Sequence, residues 1–275
     1  MRTVSPYALG ATLYMPATRA DLLDVVCHGK IPGLRSLVIC LEDAVSEADV
    51  QDGLLNLQKL LTSRSGPVVF VRPRNVEMAM RLNDLSLIHH VDGFVAPKLN
   101  LASLSDWEQA ITHPSLLIMP TLETRDVFDP VAMVDLRDGL VDKLKEKTLV
   151  LRIGGNDLMG CLGLRRSASH TLYSTPMGYV IPMLAGIMGA AGFYLTAPVF
   201  ERLDNDQLFS DELELDLMHG LVGKTAIHPS QIQPIHDALR VSIEDLNSAR
   251  LIMADDASAV FKHGGAMCEP ATHLQ

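Results

Sequence analysis

The fold is decided by the sequence Leu149-Val150-Leu151-Arg152-Ile153-Gly154-Gly155-Asn156-Asp157-Leu158. It begins with the mostly aliphatic run that is typical of a strand buried on both faces of a parallel sheet. The two glycines that follow permit a tight backbone turn and leave room for a ligand. Asp157 comes next, at the carboxyl end of the predicted strand, where α/β folds place their chemistry. The stretch therefore predicts a parallel α/β fold with an acidic residue at its functional edge.

Strand-like segments of this kind recur along the whole chain, with helical stretches between them. Eight strands that alternate with helices are the number required by a (β/α)₈ TIM barrel, which is the α/β fold class that we predict. No low-complexity segment, linker or further repeat interrupts the alternation. The predicted strands are residues 9–16, 36–41, 67–72, 93–98, 115–121, 149–153, 192–199 and 223–228.

Capping signals support helices between these strands. A serine followed three residues later by an aspartate precedes three helical segments, as in a capping box. These pairs are Ser46 with Asp49, Ser103 with Asp106, and Ser242 with Asp245. The predicted helices cover residues 50–61, 107–111, 131–144, and a last segment that ends near His263, where Gly264-Gly265 would terminate it. We expect one domain, in which residues 1–240 form the catalytic barrel and residues 241–275 add a C-terminal helix and a lid.

Composition narrows the class of protein. The formal net charge of −10, from 23 basic and 33 acidic residues, argues against general binding of nucleic acid or membrane surfaces, but it allows an anionic small-molecule substrate. The four cysteines show neither a CxxC pair nor zinc spacing, which favours reduced thiols in a cytoplasmic protein. The N-terminus lacks the apolar core of a signal peptide, and residues 179–193 are too short and too rich in glycine and proline to span a membrane.

Acidic residues follow three of the predicted strands, which suggests a shared acidic pocket. Glu123 and Asp157 lie at the ends of the fifth and sixth strands, neighbours in a barrel, and we predict that they bind Mg²⁺, which takes one or two protein carboxylates. Alternatively, each one only forms an ion pair with Arg72, Arg125 or Arg152. Glu42 and Asp43 follow the second strand and are predicted to hold metal-bound water or to orient Arg72, unless they only make loop hydrogen bonds.

Two cations also stand at strand ends. Arg72 ends the third strand, where its guanidinium can stabilise an enolate oxygen or, alternatively, form a salt bridge with an acid such as Glu42. Lys98 ends the fourth strand. A lysine there can form a Schiff base if burial lowers its pKa, but the acidic surroundings favour a paired, charged ammonium.

His228 ends the eighth strand, in the sequence Ile227-His228-Pro229-Ser230-Gln231-Ile232. It can act as an acid or base, but a structural or substrate-positioning role in a capped turn is commoner. Neither a dinucleotide-binding glycine motif, a P-loop nor a Gly-x-Ser-x-Gly elbow occurs in the chain. We expect the substrate to contact residues at the strand ends, namely Arg72, Pro97, Lys98, Gly155, Asn156 and His228.

Together, these motifs resemble the citrate lyase β-subunit-like and malyl-CoA lyase proteins of the HpcH/HpaI aldolase superfamily. The similarity runs in order through nearly the whole chain, and the combination of motifs is more specific than any one of them. The matching segments are Leu41-Glu42-Asp43-Ala44-Val45, Val71-Arg72, Ala96-Pro97-Lys98, Leu122-Glu123-Thr124, Gly154 to Asp157, Ala226 to Ile232, and Gly265-Ala266-Met267-Cys268-Glu269.

The resemblance implies a TIM barrel that binds Mg²⁺ through Glu123 and Asp157 and uses Arg72 as electrostatic catalyst. It implies cleavage or formation of a carbon–carbon bond in a hydroxy acid, a 2-oxo acid or its CoA thioester. It also implies a homotrimer or hexamer with a C-terminal lid, in which Glu269 stands where malyl-CoA lyases carry a lid aspartate and is a candidate for the general acid or base. The predicted catalytic residues are therefore Arg72, Glu42, Asp43 and Glu269.

The chain departs from the family pattern at several positions. Cys40 replaces the first aspartate of the family's DLEDAV motif, Asn156 stands where relatives often have glutamate, and Thr196 lies near the position of a frequent aspartate. These changes leave the substrate open. A Mg²⁺-dependent lyase of the citrate lyase β-subunit type is our first hypothesis. The alternatives are a CoA-independent 2-oxo-acid aldolase and a metal-binding barrel subunit without catalytic activity.

Overall fold

The computed structural model describes residues 4–62 and 66–273. Its first compact unit, which ends at Ala238, is built on eight parallel strands with helices between them. The strands are β1 Gly10–Pro16, β2 Ser36–Cys40, β3 Val68–Arg72, β4 Gly93–Ala96, β5 Leu117–Leu122, β6 Leu151–Ile153, β7 Leu195–Thr196 and β8 Gly223–Ala226.

Strand pairing confirms the predicted TIM barrel. Each strand pairs with its neighbour in sequence, and β8 pairs with β1. The barrel is completed between β7 and β8 by backbone hydrogen bonds, from Ala197 N to Gly223 O (2.7 Å) and from Thr225 N to Ala197 O (3.2 Å). All eight predicted strands are present, and each is shorter than predicted. The seventh shrinks most, because Gly192 turns at a φ of 75° and Pro198 has no N–H to donate to a ladder.

The helices of this unit lie between consecutive strands and after β8. They are α1 Leu22–Cys27, α2 Val50–Leu61, α3 Val76–Asn83, α4 Leu104–Ala110, α5 Pro130–Lys143, α6 Gly155–Cys161, α7 Met177–Gly189, α8 Asp206–Met218 and α9 Ile232–Ala238. The predicted capping boxes at Ser46 and Ser103 are wrong. Ser46 donates its hydroxyl to Asp49 (2.6 Å) ahead of a 3₁₀ turn, and Ser103 exchanges hydrogen bonds with Asn100 instead of capping α4.

Inward-facing side chains change character along the barrel axis. Because alternate residues of a strand face the same side, Met119, Thr121 and Glu123 lie above one another on the inner face of β5 and its end. Met119 belongs to a buried apolar cluster that also contains Val38, Phe70, Val95 and Val150. Two residues further along, the inner faces of β2, β3, β5 and β6 carry the polar or thiol side chains Cys40, Arg72, Thr121 and Arg152, and beyond the ends of β2 and β5 come the acids Glu42 and Glu123. The interior therefore runs from an apolar floor through a polar layer to an acidic mouth.

The second compact unit begins at Leu239. It consists of α10 Ile243–Ile252, β9 Phe261–His263, β10 Ala266–Cys268 and α11 Pro270–His273. Ser242 caps α10 as predicted and accepts a hydrogen bond from Asp245 N (3.0 Å). The prediction that this helix continues to His263 is wrong, because β9 and β10 form an antiparallel hairpin. Gly264 and Gly265, at φ values of 55° and 85°, supply the two positive φ angles that a tight hairpin turn needs.

Within the described residues, no helix combines the length and the hydrophobicity that crossing a lipid bilayer demands.

Candidate active site

A cavity of about 240 Å³ opens at the carboxyl ends of the barrel strands. Side chains from β1, β2, β3, β5, β6 and β8, and from the first turn of α6, line it. They include the predicted residues Glu42, Asp43, Arg72, Glu123, Gly155, Asn156 and Asp157. Strand ends that are separate in sequence thus bring the predicted acids and Arg72 to one place.

Arg72 connects the acids of two strand ends. Its Nη2 lies 2.5 Å from Glu42 Oε2, 3.1 Å from Glu123 Oε1 and 3.5 Å from Asp43 Oδ2. Burial lowers the pKa of Arg72, but the negative charge of Glu123 and Glu42 outweighs burial and raises it, so the guanidinium stays charged. Both interpretations of the sequence hold at once: Arg72 forms the ion pair with Glu42, and it also lines the cavity.

Lys98 is a second cation held by acids. Its Nζ lies 2.6 Å from Glu42 Oε1, 3.8 Å from Asp43 Oδ1 and 4.0 Å from Asp157 Oδ1. Partial burial lowers the pKa of Lys98, but the hydrogen bond to Glu42 outweighs it and raises the pKa. A charged ammonium is not a nucleophile, so these contacts favour the paired role over a Schiff base. The backbone of Lys98 is also unusual, because its φ of 51° lies in the left-handed region that non-glycine residues rarely adopt.

Glu123 is the most deeply buried carboxylate of the cavity. Its Oε1 accepts hydrogen bonds from Arg72 Nη2 (3.1 Å) and from the backbone N–H of Lys98 (2.8 Å), and the residue is 3% exposed. Burial, together with the charge of Asp157, raises the pKa of Glu123 to about 7, although Arg72 acts in the opposite direction. The carboxyl group therefore sits where negative charge is unfavourable unless further positive charge is supplied.

Asp157 approaches from the first turn of α6, and its side chain is 35% exposed. Among the described residues, no group of three or more His, Cys, Asp or Glu side chains is arranged to hold a metal ion. Mg²⁺ needs fewer, since it usually keeps several waters and takes one or two carboxylates. Glu123, whose pKa the charge of Asp157 helps to raise, and Asp157 itself line one cavity and form a hard oxygen donor set, which fits such a cation.

Glu42 and Asp43 differ although they are adjacent. Glu42 is buried; burial raises its pKa, but the charges of Arg72 and Lys98 outweigh burial and lower it, so Glu42 stays ionised. The Asp43 side chain is 66% exposed at the cavity wall. Partial burial, and then the hydrogen bond and charge of Glu42, raise the pKa of Asp43. Glu42 is thus suited to hold cations, and Asp43 is suited to exchange a proton.

His228 lies outside the cavity wall, which its neighbour Ile227 lines instead. Its ring Nδ1 accepts a hydrogen bond from Ser230 N (3.2 Å), and Gln231 Oε1 accepts one from His228 N (3.3 Å). The two residues form a capping box for the 3₁₀ turn Pro229–Gln231. This geometry favours the structural alternative for His228. Pro97 is likewise buried away from the cavity wall, between β4 and Lys98.

Two predicted residues have other contacts of note. Asn156 lines the cavity and donates its side-chain N–H to Glu201 Oε1 (2.7 Å). Glu269 follows β10 in the second compact unit, where its backbone oxygen accepts a hydrogen bond from Thr272 N (3.0 Å). The catalytic role of Glu269 stays a prediction.

The cavity also contains residues that the sequence did not single out for the site, namely Tyr14, Thr121, Arg152 and Thr225, and it includes the substituted Cys40. Burial raises the pKa of Cys40, so its thiol is neutral. Arg152 was expected only as an ion-pair partner of Glu123 or Asp157, yet it pairs with neither among the described contacts. Arg152 lies two residues after the core residue Val150 and therefore faces the same, inner side of the barrel. This spacing is the sequence signal that could have identified it.

Comparison with protein families gives one match over nearly the whole chain. The profile of the family described as C–C bond lyase of the TIM-barrel fold matches residues 3–275. A search of curated proteins gives no significant match.

Comparison with solved structures gives many matches of the same fold. RipC from Yersinia pestis is 18% identical, with a TM-score of 0.69, over 88% of this chain and 100% of its own. CitE from Mycobacterium tuberculosis, in complex with magnesium, acetoacetate and coenzyme A, is 21% identical, with a TM-score of 0.70, over 96% and 94%. The citrate lyase β subunit of the same organism, with oxaloacetate and magnesium, is 20% identical, with a TM-score of 0.64, over 86% and 99%.

Gly154→Ala should disturb the site, because the added methyl group would overlap the Cβ and Oε2 atoms of Glu123. We expect a loss of about 1–3 kcal/mol in the free energy of unfolding, measured by urea denaturation. Gly160→Ala, in helix α6, which Gly154 precedes as N-cap residue, is the matched control, since nothing lies within 4 Å of its added methyl group. It should be neutral or stabilising by up to about 1 kcal/mol. Equal stability of the two variants would contradict the close packing of Glu123 on Gly154.

Proposed function

The chain belongs to the family of carbon–carbon bond lyases with the TIM-barrel fold, and on that premise we propose that it is a Mg²⁺-dependent lyase of the citrate lyase β-subunit type. It would cleave or form a carbon–carbon bond in a hydroxy acid or 2-oxo acid, or in the corresponding CoA thioester. One observation carries the proposal: Glu123 and Asp157 face a single cavity in which Arg72 contacts both Glu123 and Glu42.

We assign the metal to Glu123 and Asp157. A bound Mg²⁺ supplies a Lewis acid that polarises a carboxylate and the adjacent oxygen of an oxo acid. The protein's part is to present the two carboxylates from adjacent barrel positions. Arg72 and the backbone N–H of Lys98 fix Glu123 by binding its Oε1 atom, which leaves Oε2 for another partner.

Arg72 is the electrostatic catalyst in this proposal. When the carbon–carbon bond breaks, one fragment keeps the electron pair and its oxygen gains negative charge. A guanidinium at the cavity wall can donate N–H groups and charge to that oxygen, and Glu42 and Glu123 hold it in place beforehand. Lys98 keeps Glu42 ionised, so that Glu42 positions Arg72 and does not take up a proton.

The proton at the reacting carbon is assigned to Asp43. Its carboxyl group lies at the exposed part of the cavity wall, and its pKa is raised above the usual value of an aspartate, which is the direction that favours exchange of a proton with the substrate. Glu269 is the second candidate, on the strength of the family resemblance.

The substrate can be a free oxo acid or an acyl-CoA. The M. tuberculosis structures contain oxaloacetate in one case and acetoacetate with coenzyme A in another, so both classes deserve testing. As the resemblance implies, we propose self-assembly into a homotrimer or hexamer. The scattered cysteines are consistent with a reaction in the cytoplasm.

Glu123→Ala should abolish binding of Mg²⁺, because it removes one of two protein ligands. We expect calorimetric titration to show a loss of affinity of at least about 100-fold, together with loss of lyase activity. Glu108→Ala is the control, since Glu108 is an exposed glutamate on α4 that pairs with Lys143. Unchanged Mg²⁺ affinity in Glu123→Ala would contradict the metal assignment.

The affinity for Mg²⁺ should rise with pH through about 7, because a proton competes with the cation for Glu123. Below that pKa we expect the affinity for Mg²⁺ to rise by up to about tenfold per pH unit, and above it we expect the affinity to level off. Calorimetric titrations from pH 6 to 8 would measure this. The stability of the metal-free protein should change with pH in the opposite direction. Folded Glu123 binds a proton that the unfolded chain releases near its usual pKa of 4.5, so stability without metal falls as the pH rises from about 4.5 to 7. A flat affinity profile would contradict the prediction.

A further inference from the structure

Arg152 is a charged residue inside the barrel that the proposed chemistry leaves unused. It lies on β6, is 1% exposed, and lines the cavity in the polar layer between the apolar floor and the acidic mouth. TIM-barrel interiors are normally filled by branched apolar side chains. A guanidinium in this layer therefore needs a reason.

The partners of Arg152 are neutral. Its Nη2 donates to Thr225 Oγ1 (2.6 Å), its Nη1 lies 4.0 Å from Met119 Sδ, and the guanidinium stands 5.2 Å from the centre of the Tyr14 ring. Within the part of the chain that the structure describes, no carboxylate lies within 4 Å of it, whereas Arg72 and Lys98 each contact three.

A buried cation on the outer face of the barrel provides the contrast. Lys224 on β8 is also 1% exposed, but its Nζ contacts Glu212 at 3.1 Å and Asp216 at 2.7 Å. Buried charges in proteins are generally paired, because removing them from water is unfavourable. This chain follows that rule at Lys224 and departs from it at Arg152, where the unmet charge faces a cavity.

A hydroxyl group without a partner lies beside Arg152. Thr121 on β5 is in register with Arg152, faces the same cavity and is 3% exposed, and its Oγ1 has no hydrogen-bond partner. Buried hydroxyl groups usually have one. The guanidinium, which has no carboxylate partner among the described residues, and this hydroxyl, which has no partner at all, line the same cavity.

We propose that Arg152 and Thr121 bind a second carboxylate of the substrate, so that the enzyme acts on dicarboxylic oxo or hydroxy acids. The inference rests on the proposed function, which places one carboxylate near Glu123 and Asp157. Thr121 and Glu123 are two residues apart on one face of β5, which separates them by about 7 Å along the strand. That separation suits an acid of four or five carbons with a carboxylate at each end.

A carboxylate fits this subsite better than a phosphate. The planar guanidinium fork matches the two oxygens of a carboxylate. The entrance carries Glu42, Asp43 and Asp157, which repel an anion the more strongly the higher its charge.

Two acids test the inference, since oxaloacetate carries a second carboxylate where pyruvate carries a hydrogen atom. Titration calorimetry in the presence of Mg²⁺ would compare both acids on the wild-type protein, Arg152→Gln and Arg152→Lys. We expect Arg152→Gln to weaken oxaloacetate binding by about 10- to 100-fold and pyruvate binding by less than about twofold. Arg152→Lys should recover part of the loss. Arg137→Gln, which removes an arginine on α5 paired with Asp138, should change neither affinity.

Thr121→Val covers the case in which Arg152 variants fold poorly. It removes a hydroxyl without a partner and keeps the volume, so the protein should fold with unchanged or higher stability. We expect oxaloacetate affinity to fall by about 2- to 10-fold and pyruvate affinity to stay the same.

Equal losses for the two acids in Arg152→Gln would overturn the inference and assign Arg152 a structural role. Equal binding of the two acids by the wild-type protein, or binding of neither, would overturn it as well. A different result would contradict the proposed lyase function and leave the subsite intact. Oxaloacetate would still bind more tightly than pyruvate, and this preference would still depend on Arg152, but binding would not depend on Mg²⁺ and no carbon–carbon bond would break.

Discussion

The site depends on the contact of Arg72 with Glu42 and Glu123, at 2.5 Å and 3.1 Å. This one guanidinium joins the ends of β2, β3 and β5. Without it, carboxylates would face each other across a small cavity with only Lys98 between them. Even with both cations in place, the four acids Glu42, Asp43, Glu123 and Asp157 exceed them by two formal charges, and Arg152 below them adds only one more positive charge. A bound divalent cation would supply the missing positive charge, in agreement with the raised pKa of Glu123.

The strands produce this arrangement by simple alternation. Inner-face residues at successive levels of β2, β3, β5 and β6 change from apolar to polar or charged, as in Val150 and Arg152. The apolar floor closes the barrel below and keeps water out. Ionised groups therefore lie above this floor, and Arg152 is the exception among the cations of the cavity, because no carboxylate of the described residues lies within 4 Å of it. The proposed carboxylate subsite explains that exception by a substrate that reaches below the metal-binding acids.

Much of the fold and of the acidic mouth could be predicted from the sequence, because the end of a strand is visible as an aliphatic run that stops at a charged residue. Arg72, Glu123 and Asp157 were found in this way. Arg152 was not, because its role depends on which face of β6 turns inward, and a three-residue strand does not reveal that. The last helix was predicted too long, because Gly264-Gly265 fits a helix end as well as a hairpin turn until the pairing of β9 with β10 is known. The pKa of Glu123 depends on burial and on Asp157, which only the folded chain brings near.

The most direct test of the proposed site is calorimetric titration of the wild-type protein with freshly dissolved oxaloacetate and with acetyl-CoA, each with Mg²⁺ and with a chelator. We expect oxaloacetate to bind only when Mg²⁺ is present, because Glu123 and Asp157 offer an anion no attraction of their own. Metal-dependent binding of acetyl-CoA as well would assign the enzyme to CoA thioesters, and its absence would favour free acids. Oxaloacetate binding of equal strength in the chelator would contradict the metal-centred site.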